Sequence, residues 1–368
     1  MPYFTLLLVV CTSTLAVWLP FVISHHFQAI YSHFDGPLYI IPAKTGYDPG
    51  LIAKILRDPS MPQNPLYYAA HLPLYPFFIW VGAIAHLGYL KSMLAVTVVS
   101  TIVLGWIFYF VLKRFNLTQH PLLLTSIFLL LPRLWVVRSV GSPEPLFILL
   151  ILASLFFFEK KNYMLAGLMG GLATMTKTPG ILLFPAYALV ILESYVAPAK
   201  EKVLSYRVTL SSLFLLFIPL GLVAVFGIYA VRYHDFFAYF HTGGVVPMPY
   251  PFAVFNASAK WVGTAWLEDV LFYFALYAAT AVVLWNSKYR SLFYFALTFF
   301  VATLFVQHRD ISRYSLPLLP LAMIAFEKKM TSKQGIIVFL ILLAGIYLYA
   351  VNFLGANVMP ITEWSPFL

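Results

Sequence analysis

A few charged residues stand at the borders of long apolar runs, and together they could carry out acid–base chemistry on an anionic substrate. Asp35 follows the first apolar run, and Gly36-Pro37 turns the chain directly after it. Glu144, Lys177 and Arg313 border later apolar runs. A positioned carboxylate can take a proton, and nearby cations can stabilise negative charge. Considered alone, Asp35 could equally be a solvated loop carboxylate, so its role depends on what surrounds it.

The composition shows where such residues must lie. Hydrophobic residues make up 62% of the 368 residues and charged residues 10%. Soluble domains are about half apolar and about a quarter charged, so this composition indicates an integral membrane protein. The net charge of +10 could indicate nucleic acid, but no basic cluster with interleaved aromatic residues supports that partner. Cys11 is the single cysteine, which excludes an internal disulfide framework.

The charged residues must be positioned by membrane helices, which need about 20 apolar residues each. We predict eleven spans: Phe4–Ser24, Ser92–Leu112, His120–Val137, Pro143–Phe158, Asn162–Thr176, Gly180–Val196, Val208–Val231, Trp266–Trp285, Ser291–Val306, Tyr314–Phe326 and Gly335–Val351. The first run lacks a basic start and a small-residue cleavage site, so we interpret it as a retained helix. A twelfth apolar segment, Leu72–Tyr89, is ambiguous.

Lysine and arginine in short loops predict the orientation. The basic loops that can share one face contain Lys113 and Arg114; Lys160 and Lys161; Lys200, Lys202 and Arg207; Lys288 and Arg290; and Lys328, Lys329 and Lys333. Such loops favour the cytoplasm, so region 25–90 should begin and end outside. Segment Leu72–Tyr89 then lies along or dips into the outer surface; the alternative is that it spans and the N-terminus is outside. The charged residues expected on or near the outer face are Asp35, Glu144, Lys177, Arg309 and Arg313.

Five motifs follow one another along the chain. They are Phe34-Asp35 with Tyr39 and Ala43-Lys44-Thr45-Gly46-Tyr47; His71-Leu72-Pro73-Leu74-Tyr75-Pro76; Ser142-Pro143-Glu144-Pro145-Leu146-Phe147; Ala166-Gly167 through Thr176-Lys177 to Gly180; and Arg313-Tyr314 with Pro317 and Pro320. In this order they resemble the PIG-V-type mannosyltransferases. Phe34 stands where that family has Trp, Pro145 follows the Glu directly, and Lys177 replaces an Arg. A lysine offers a point charge where arginine offers a planar fork, so phosphate geometry differs at this position.

The resemblance implies an all-α polytopic membrane protein with the GT-C fold. It implies about 11 transmembrane helices and a long first extracytoplasmic loop, 25–90, that carries the catalytic Asp and juxtamembrane helices. Residues 1–368 would form one domain, with a second outer loop over 232–265 that either covers the site or simply connects two spans. Members of this superfamily transfer sugars from polyprenyl- or dolichyl-phosphate donors on the non-cytoplasmic face.

The resemblance also assigns roles to individual residues. Asp35 corresponds to the catalytic carboxylate and would act as general base toward the acceptor hydroxyl. A phosphate monoester has a second pKa of about 6 and can leave without an acid, so one carboxylate suffices and a single displacement inverts the anomeric carbon. The residues expected to bind the donor phosphate are Lys177, Arg313, Arg309 and His308. The residues expected at the sugar or acceptor are Glu144, Tyr39 and Tyr75.

Two assignments have alternatives at this point. Glu144 could bind substrate or position a cation, or it could simply stabilise the start of the helix near Pro143. His25, His26 and His33 could hold a metal, but no paired spacing indicates a firm site. The sequence therefore specifies no metal ligand or cofactor and leaves a divalent cation open.

We therefore predict a multi-pass glycosyltransferase of the plasma membrane with its active site on the extracytoplasmic face. It would transfer mannose or another hexose from a polyprenyl-phosphate donor to a glycan, lipid or protein acceptor. Its partners would be that donor, the acceptor and the bilayer, without nucleic acid. The alternative is a polytopic transporter or flippase, which would hold charges in broken helices within internal repeats. The clustering of candidate charges at outer helix ends favours the enzyme.

Overall fold

The computed structural model describes residues 1–56, 59, 61–196, 209–242, 247–259 and 267–368, and this part is built from helices and loops. The first helices are α1 Pro2–Ile23, α2 Gln28–Tyr31, α3 Gly36–Thr45, α4 Pro49–Ile55, α5 Leu74–Gly82, α6 Tyr89–Arg114, α7 Pro121–Leu129, α8 Pro132–Val137, α9 Glu144–Glu159 and α10 Tyr163–Thr176. The later ones are α11 Leu183–Val196, α12 Phe217–Tyr233, α13 Ala238–His241, α14 Glu268–Leu284, α15 Arg290–Leu304, α16 Ile311–Tyr314, α17 Leu319–Ala325, α18 Glu327–Met330 and α19 Lys333–Ala356. Short 3₁₀ segments cover Pro65–Ala70, Thr178–Leu182, Leu210–Leu216, Ala253–Phe255, Leu316–Leu318 and Ser365–Phe367, and a π-helical turn covers Ala83–Leu87.

Membrane-spanning helices make up most of the chain. Five helical stretches in the described ranges are long and apolar enough to cross a bilayer by themselves: Pro2–Ile23, Tyr89–Arg114, Thr178–Val196, Leu210–Tyr233 and Lys333–Ala356. Within the described residues, each of the eleven predicted spans overlaps one to three consecutive helical segments. Pro132 opens α8 and separates it from α7, because proline cannot continue the preceding helix. The prediction of an all-α polytopic membrane protein is confirmed.

The region between α1 and α6 forms a long loop with short helices, as predicted. Helix α3 continues past Pro42 and ends at Gly46 in the left-handed conformation. At about 1.5 Å per residue, Leu74–Leu87 extends about 21 Å, short of the roughly 30 Å hydrocarbon core. Its Phe77, Trp80 and Ile84 are exposed, so α5 lies beside α6 with an apolar face outward.

Close contact between α10 and the helix of residues 210–233 fixes the end of α10. A Cβ on Gly167 would lie 1.9 Å from the carbonyl oxygen of Phe214, and one on Gly171 would lie 2.6 Å from that of Phe217. Only glycine allows backbones to approach this closely. The packing sets the position of Lys177, which directly follows α10.

The segment after α19 crosses the first loop. Val358 forms an antiparallel bridge with His33, and the Phe34 N–H donates to the Asn357 carbonyl at 2.9 Å. The Lys44 ammonium donates to the carbonyl of Pro366 at 3.0 Å. The ends of α1 and α19 therefore lie at the same face of the helix assembly, which we call the first-loop face. An even number of crossings must separate them, in agreement with eleven spans.

Several sequence-based predictions fall outside the described residues. These include the basic loop with Lys200, Lys202 and Arg207, the start of the span at Trp266, and parts of the second outer loop around Gly243 and Gly244.

Candidate active site

Asp35 is presented by a strained turn at the start of α3. The preceding residue, Phe34, has φ 46°, a left-handed conformation that is costly for a residue with a side chain. It is held there by its N–H bond to Asn357 and by its ring, which lies 5.8 Å from the Arg313 guanidinium. Asp35 occupies the N-cap position of α3 but makes no capping bond with its side chain. Its carboxylate is therefore directed away from the helix, toward other elements.

Four charged side chains meet at the first-loop face. Arg313 on α16 donates from Nη1 to Asp35 Oδ2 at 2.9 Å and from Nε to Glu144 Oε1 at 2.7 Å. Lys177 donates from Nζ to the same Glu144 oxygen at 2.6 Å, and the Ser142 hydroxyl donates to the other. We call Asp35, Glu144, Lys177 and Arg313 the four-charge network. Its two carboxylates and two cations come from four separate parts of the chain and balance each other.

Exposure divides the network into a buried part and an accessible end. The Glu144 side chain is 2% exposed and Arg313 12%, whereas Asp35 retains 35% of its side-chain surface. Burial by itself raises the pKa of the Asp35 carboxyl, but the charge and hydrogen bond of Arg313 together with the electrostatic influence of His71 outweigh burial and hold the pKa below its usual range. Asp35 is thus ionised near neutral pH and can be reached from outside the network.

Glu144 is the first residue of α9, yet its carboxylate is engaged by three side chains of the site. In this geometry Glu144 holds Arg313 beside Asp35. A negative charge at this helix start is also favourable, whichever of the predicted roles Glu144 has.

The two tyrosines predicted at the substrate occupy different positions. Tyr39 lies one turn after Asp35, and its ring packs edge-on against His71 at 4.7 Å and Tyr75 at 5.1 Å. Tyr75 is fully buried, and its hydroxyl lies 3.0 Å from the Met93 carbonyl and 2.7 Å from the Thr97 hydroxyl. Thr97 in turn bonds the Ser142 backbone. Tyr75 is thus connected through Thr97 and Ser142 to Glu144.

The two other predicted cations lie beside the network. His308 accepts from the Asp310 N–H at 3.0 Å and packs 4.7 Å from the ring of Tyr314. Burial lowers the pKa of His308. Arg309 is exposed and makes none of the contacts that join the four-charge network. The structure therefore brings Asp35, Arg313, Lys177 and Glu144 together and leaves Arg309 at the surface.

A second ion pair that the sequence analysis did not identify borders the site. Arg133 pairs with Asp310, and its guanidinium lies 4.4 Å from the ring centroid of Phe353. Arg133 also lines a cavity of about 10 Å³ together with Asp35 and Arg313, which is room for about one water molecule. No spacing rule links Arg133 to a residue so distant in sequence.

A larger groove of about 680 Å³ lies between α3, α5 and α12. Its walls include Ala43, Phe77, Trp80 and Gly227, and Lys44 and Arg232 contribute positive charge; this volume is typical of ligand sites. The groove begins beside the motifs that hold Tyr39 and Tyr75. As for metals, the described residues contain no group of three or more His, Cys, Asp and Glu side chains arranged to hold an ion.

Comparison with solved structures identifies the fold. No protein-family profile and no curated protein matches the chain. The structure of ArnT from Cupriavidus metallidurans bound to undecaprenyl phosphate is similar with a TM-score of 0.57 and 16% identity, over 92% of this chain and 62% of ArnT. The Archaeoglobus fulgidus oligosaccharyltransferase, tethered with an acceptor peptide, is similar with a TM-score of 0.54 and 12% identity, over 98% of this chain and 56% of that protein.

These similarities define the class of protein. Both enzymes have the GT-C fold, and the present chain is an integral membrane protein with that fold. The chain spans less than two thirds of the length of either enzyme.

Proposed function

We propose that this protein is a membrane glycosyltransferase that moves a sugar from a polyprenyl-phosphate donor to an acceptor hydroxyl. The observation that carries the proposal is the accessible Asp35 carboxylate held against Arg313 in a network with Lys177 and Glu144. The GT-C fold supports it, because that fold occurs in glycosyltransferases. The undecaprenyl phosphate bound to ArnT supports a lipid-phosphate donor by analogy.

In the proposed reaction, the phosphate of the donor replaces carboxylates as the partner of the cations in the four-charge network. Without substrate, Arg313 is neutralised by Asp35 and Glu144. A donor phosphate brings negative charge that competes for Arg313 and Lys177, which releases the Asp35 carboxylate for the acceptor. The acceptor oxygen then bonds to the anomeric carbon while its proton passes to Asp35 and the bond from that carbon to the phosphate oxygen breaks. A single displacement of this kind inverts the anomeric configuration.

The groove between α3, α5 and α12 provides a place for the isoprenoid chain of the donor. Apolar side chains such as Phe77 and Trp80 form its walls, and Lys44 and Arg232 add the positive charge that an anionic lipid requires. We infer that the chain lies in this groove while the phosphate reaches the four-charge network.

The remaining assignments follow from the topology and the resemblance. Five loops that contain lysine and arginine favour a cytoplasmic position for the opposite face, and this supports a site on the extracytoplasmic side of the plasma membrane. The donor sugar is proposed to be mannose or another hexose, and the acceptor a glycan, lipid or protein. His308 and Arg309 remain proposed phosphate ligands, and Tyr39 and Tyr75 proposed sugar or acceptor residues.

A transfer assay tests the proposal. Purified protein in lipid nanodiscs is supplied with a panel of polyprenyl-phosphate sugars, and transfer or slow donor hydrolysis is followed. Asp35→Asn should lower turnover by at least about 100-fold, as expected for loss of a general base, and lower the free energy of unfolding by only about 1 kcal/mol or less. Asp269→Asn, which alters an exposed carboxylate at the start of α14, is the matched control and should remain active.

Two results would contradict the proposal. Unchanged turnover in the Asp35→Asn variant would show that Asp35 is not the general base. Movement of a lipid-linked sugar across the bilayer without any new glycosidic bond would instead support the transporter.

A further inference from the structure

His71 is a buried histidine with an unmet hydrogen bond beside the proposed catalytic carboxylate. Its side chain is 5% exposed, and within the described residues its Nδ1 atom has no hydrogen-bond partner. A buried polar atom without a partner is destabilising, and native folds leave few of them. Such an atom can be satisfied by a buried water molecule or by a hydroxyl of a bound ligand.

Aromatic rings surround this imidazole. Tyr39 packs edge-on at 4.7 Å, and the rings of Tyr67 and Tyr68 lie at 5.8 and 6.2 Å. The backbone is fixed as well, because the Tyr47 hydroxyl donates to the His71 carbonyl. The ring is thus held in place by packing and by its backbone, while the nitrogen that could bond is left unused.

The charges that act on His71 are those of the proposed active site. Burial lowers the pKa of His71 to about 4; the negative charge of Asp35 opposes this shift, and the positive charges of Arg313 and Lys177 add to it. The other titratable groups packed against the ring are the phenols of Tyr39, Tyr67 and Tyr68. His71 is therefore neutral near pH 7, and a neutral imidazole has one nitrogen that accepts a hydrogen bond.

We propose that His71 is a sugar-binding residue, whose free ring nitrogen accepts a hydrogen bond from one hydroxyl of the transferred sugar beside Asp35. This inference rests on the proposed glycosyltransferase function and names a residue that decides which sugars are accepted. The half-buried ring of Tyr67 offers an apolar surface for the carbon face of a pyranose. A site built to bond one hydroxyl discriminates strongly against a sugar that lacks it, because the buried nitrogen is then left unpaired.

The test uses variants that separate hydrogen bonding from packing. His71→Phe keeps an aromatic ring and removes both nitrogens, and His71→Asn keeps a polar atom near the position of Nδ1. His71→Phe should lower kcat/KM for the donor by about 10- to 100-fold, while its unfolding temperature equals or exceeds that of the parent protein. His71→Asn should recover part of the lost activity. Tyr233→Phe also removes a buried unpartnered polar atom, but lies outside the four-charge network, and should leave kcat/KM unchanged.

A series of deoxy-sugar donors provides the decisive measurement. In the parent protein, one deoxy position should lower kcat/KM by about 10-fold or more, and in His71→Phe the same deoxy donor should react as well as the full sugar. Equal sensitivity of both proteins to every deoxy position would overturn the inference, as would a His71→Phe variant within threefold of parent activity. If the parent protein transfers no sugar from any lipid phosphate, the proposed function itself fails and this inference with it.

Discussion

Replacing Glu144 by Gln should destabilise the protein far more than replacing Asp35 by Asn, although both changes remove one negative charge from the same network. Glu144 is 2% exposed and binds both Arg313 and Lys177, whereas Asp35 is 35% exposed and binds Arg313 alone. Removing one partner of a buried ion pair costs about 3–5 kcal/mol, because the remaining charge has no compensation.

The structure sets the magnitude for each variant. In Glu144→Gln, Arg313 still pairs with Asp35, and Lys177, which is 19% exposed, is left without its carboxylate. Because this ammonium is partly hydrated, the loss of unfolding free energy should lie near the lower end of the 3–5 kcal/mol range, at about 3 kcal/mol. In Asp35→Asn, Arg313 retains Glu144, and loss of a pair that is one-third exposed costs about 1 kcal/mol or less.

The measurement is thermal unfolding in detergent, followed by the fluorescence of the 8 tryptophans. Glu144→Gln should unfold at a clearly lower temperature than Asp35→Asn. The double variant Glu144→Gln/Lys177→Met restores the charge balance and should recover at least half of the loss. If Glu144→Gln unfolds with the parent protein, or if Asp35→Asn is the less stable of the two, the division of the network into a buried support and an accessible end is wrong.

Two further predictions concern the groove and pH. A Cβ atom at Gly227 would meet no atom within 4 Å, so Gly227→Phe should fold normally, occupy the groove and raise KM for the lipid donor by about 10-fold or more. The control is Gly345→Phe, at an equally open position on α19. Equal KM values for the two variants would refute the groove assignment. The unfolding temperature should fall as the pH drops from about 6.5 toward 4. Burial holds the pKa of His33 and of His71 at about 4 in the folded protein, whereas both histidines bind a proton near pH 6.5 in the unfolded chain, so protonation favours unfolding. His71→Phe should show a shallower decline over this pH range, and parallel curves would contradict the pKa assignment.

The sequence predicted the spans and the four charges of the network, and the physical reason is that both signals are local. Apolar runs identify helices without knowledge of their partners, and alternating loop charges place the ends of those helices. Asp35, Glu144, Lys177 and Arg313 each stand at such an end, so topology alone brings them to one face.

Other features depend on contacts between distant parts of the chain and were not predicted. The pairing of Arg133 with Asp310 requires the start of α8 to lie beside the start of α16, which no periodicity encodes. The left-handed conformation of Phe34 is stabilised by Asn357, a residue near the other end of the sequence. The free nitrogen of His71 is visible only once the neighbouring rings are placed.

The bridge between His33 and Val358 has a consequence for biosynthesis. During translation the first loop emerges early, but its anchors at Leu354 and Asn357 are made after nearly all other helices. Contacts between such distant residues form late, because the intervening chain must first be ordered. A ribosome stalled before α19 would therefore leave a nascent protein whose Asp35 turn lacks the support of Leu354 and Asn357 until α19 had been inserted.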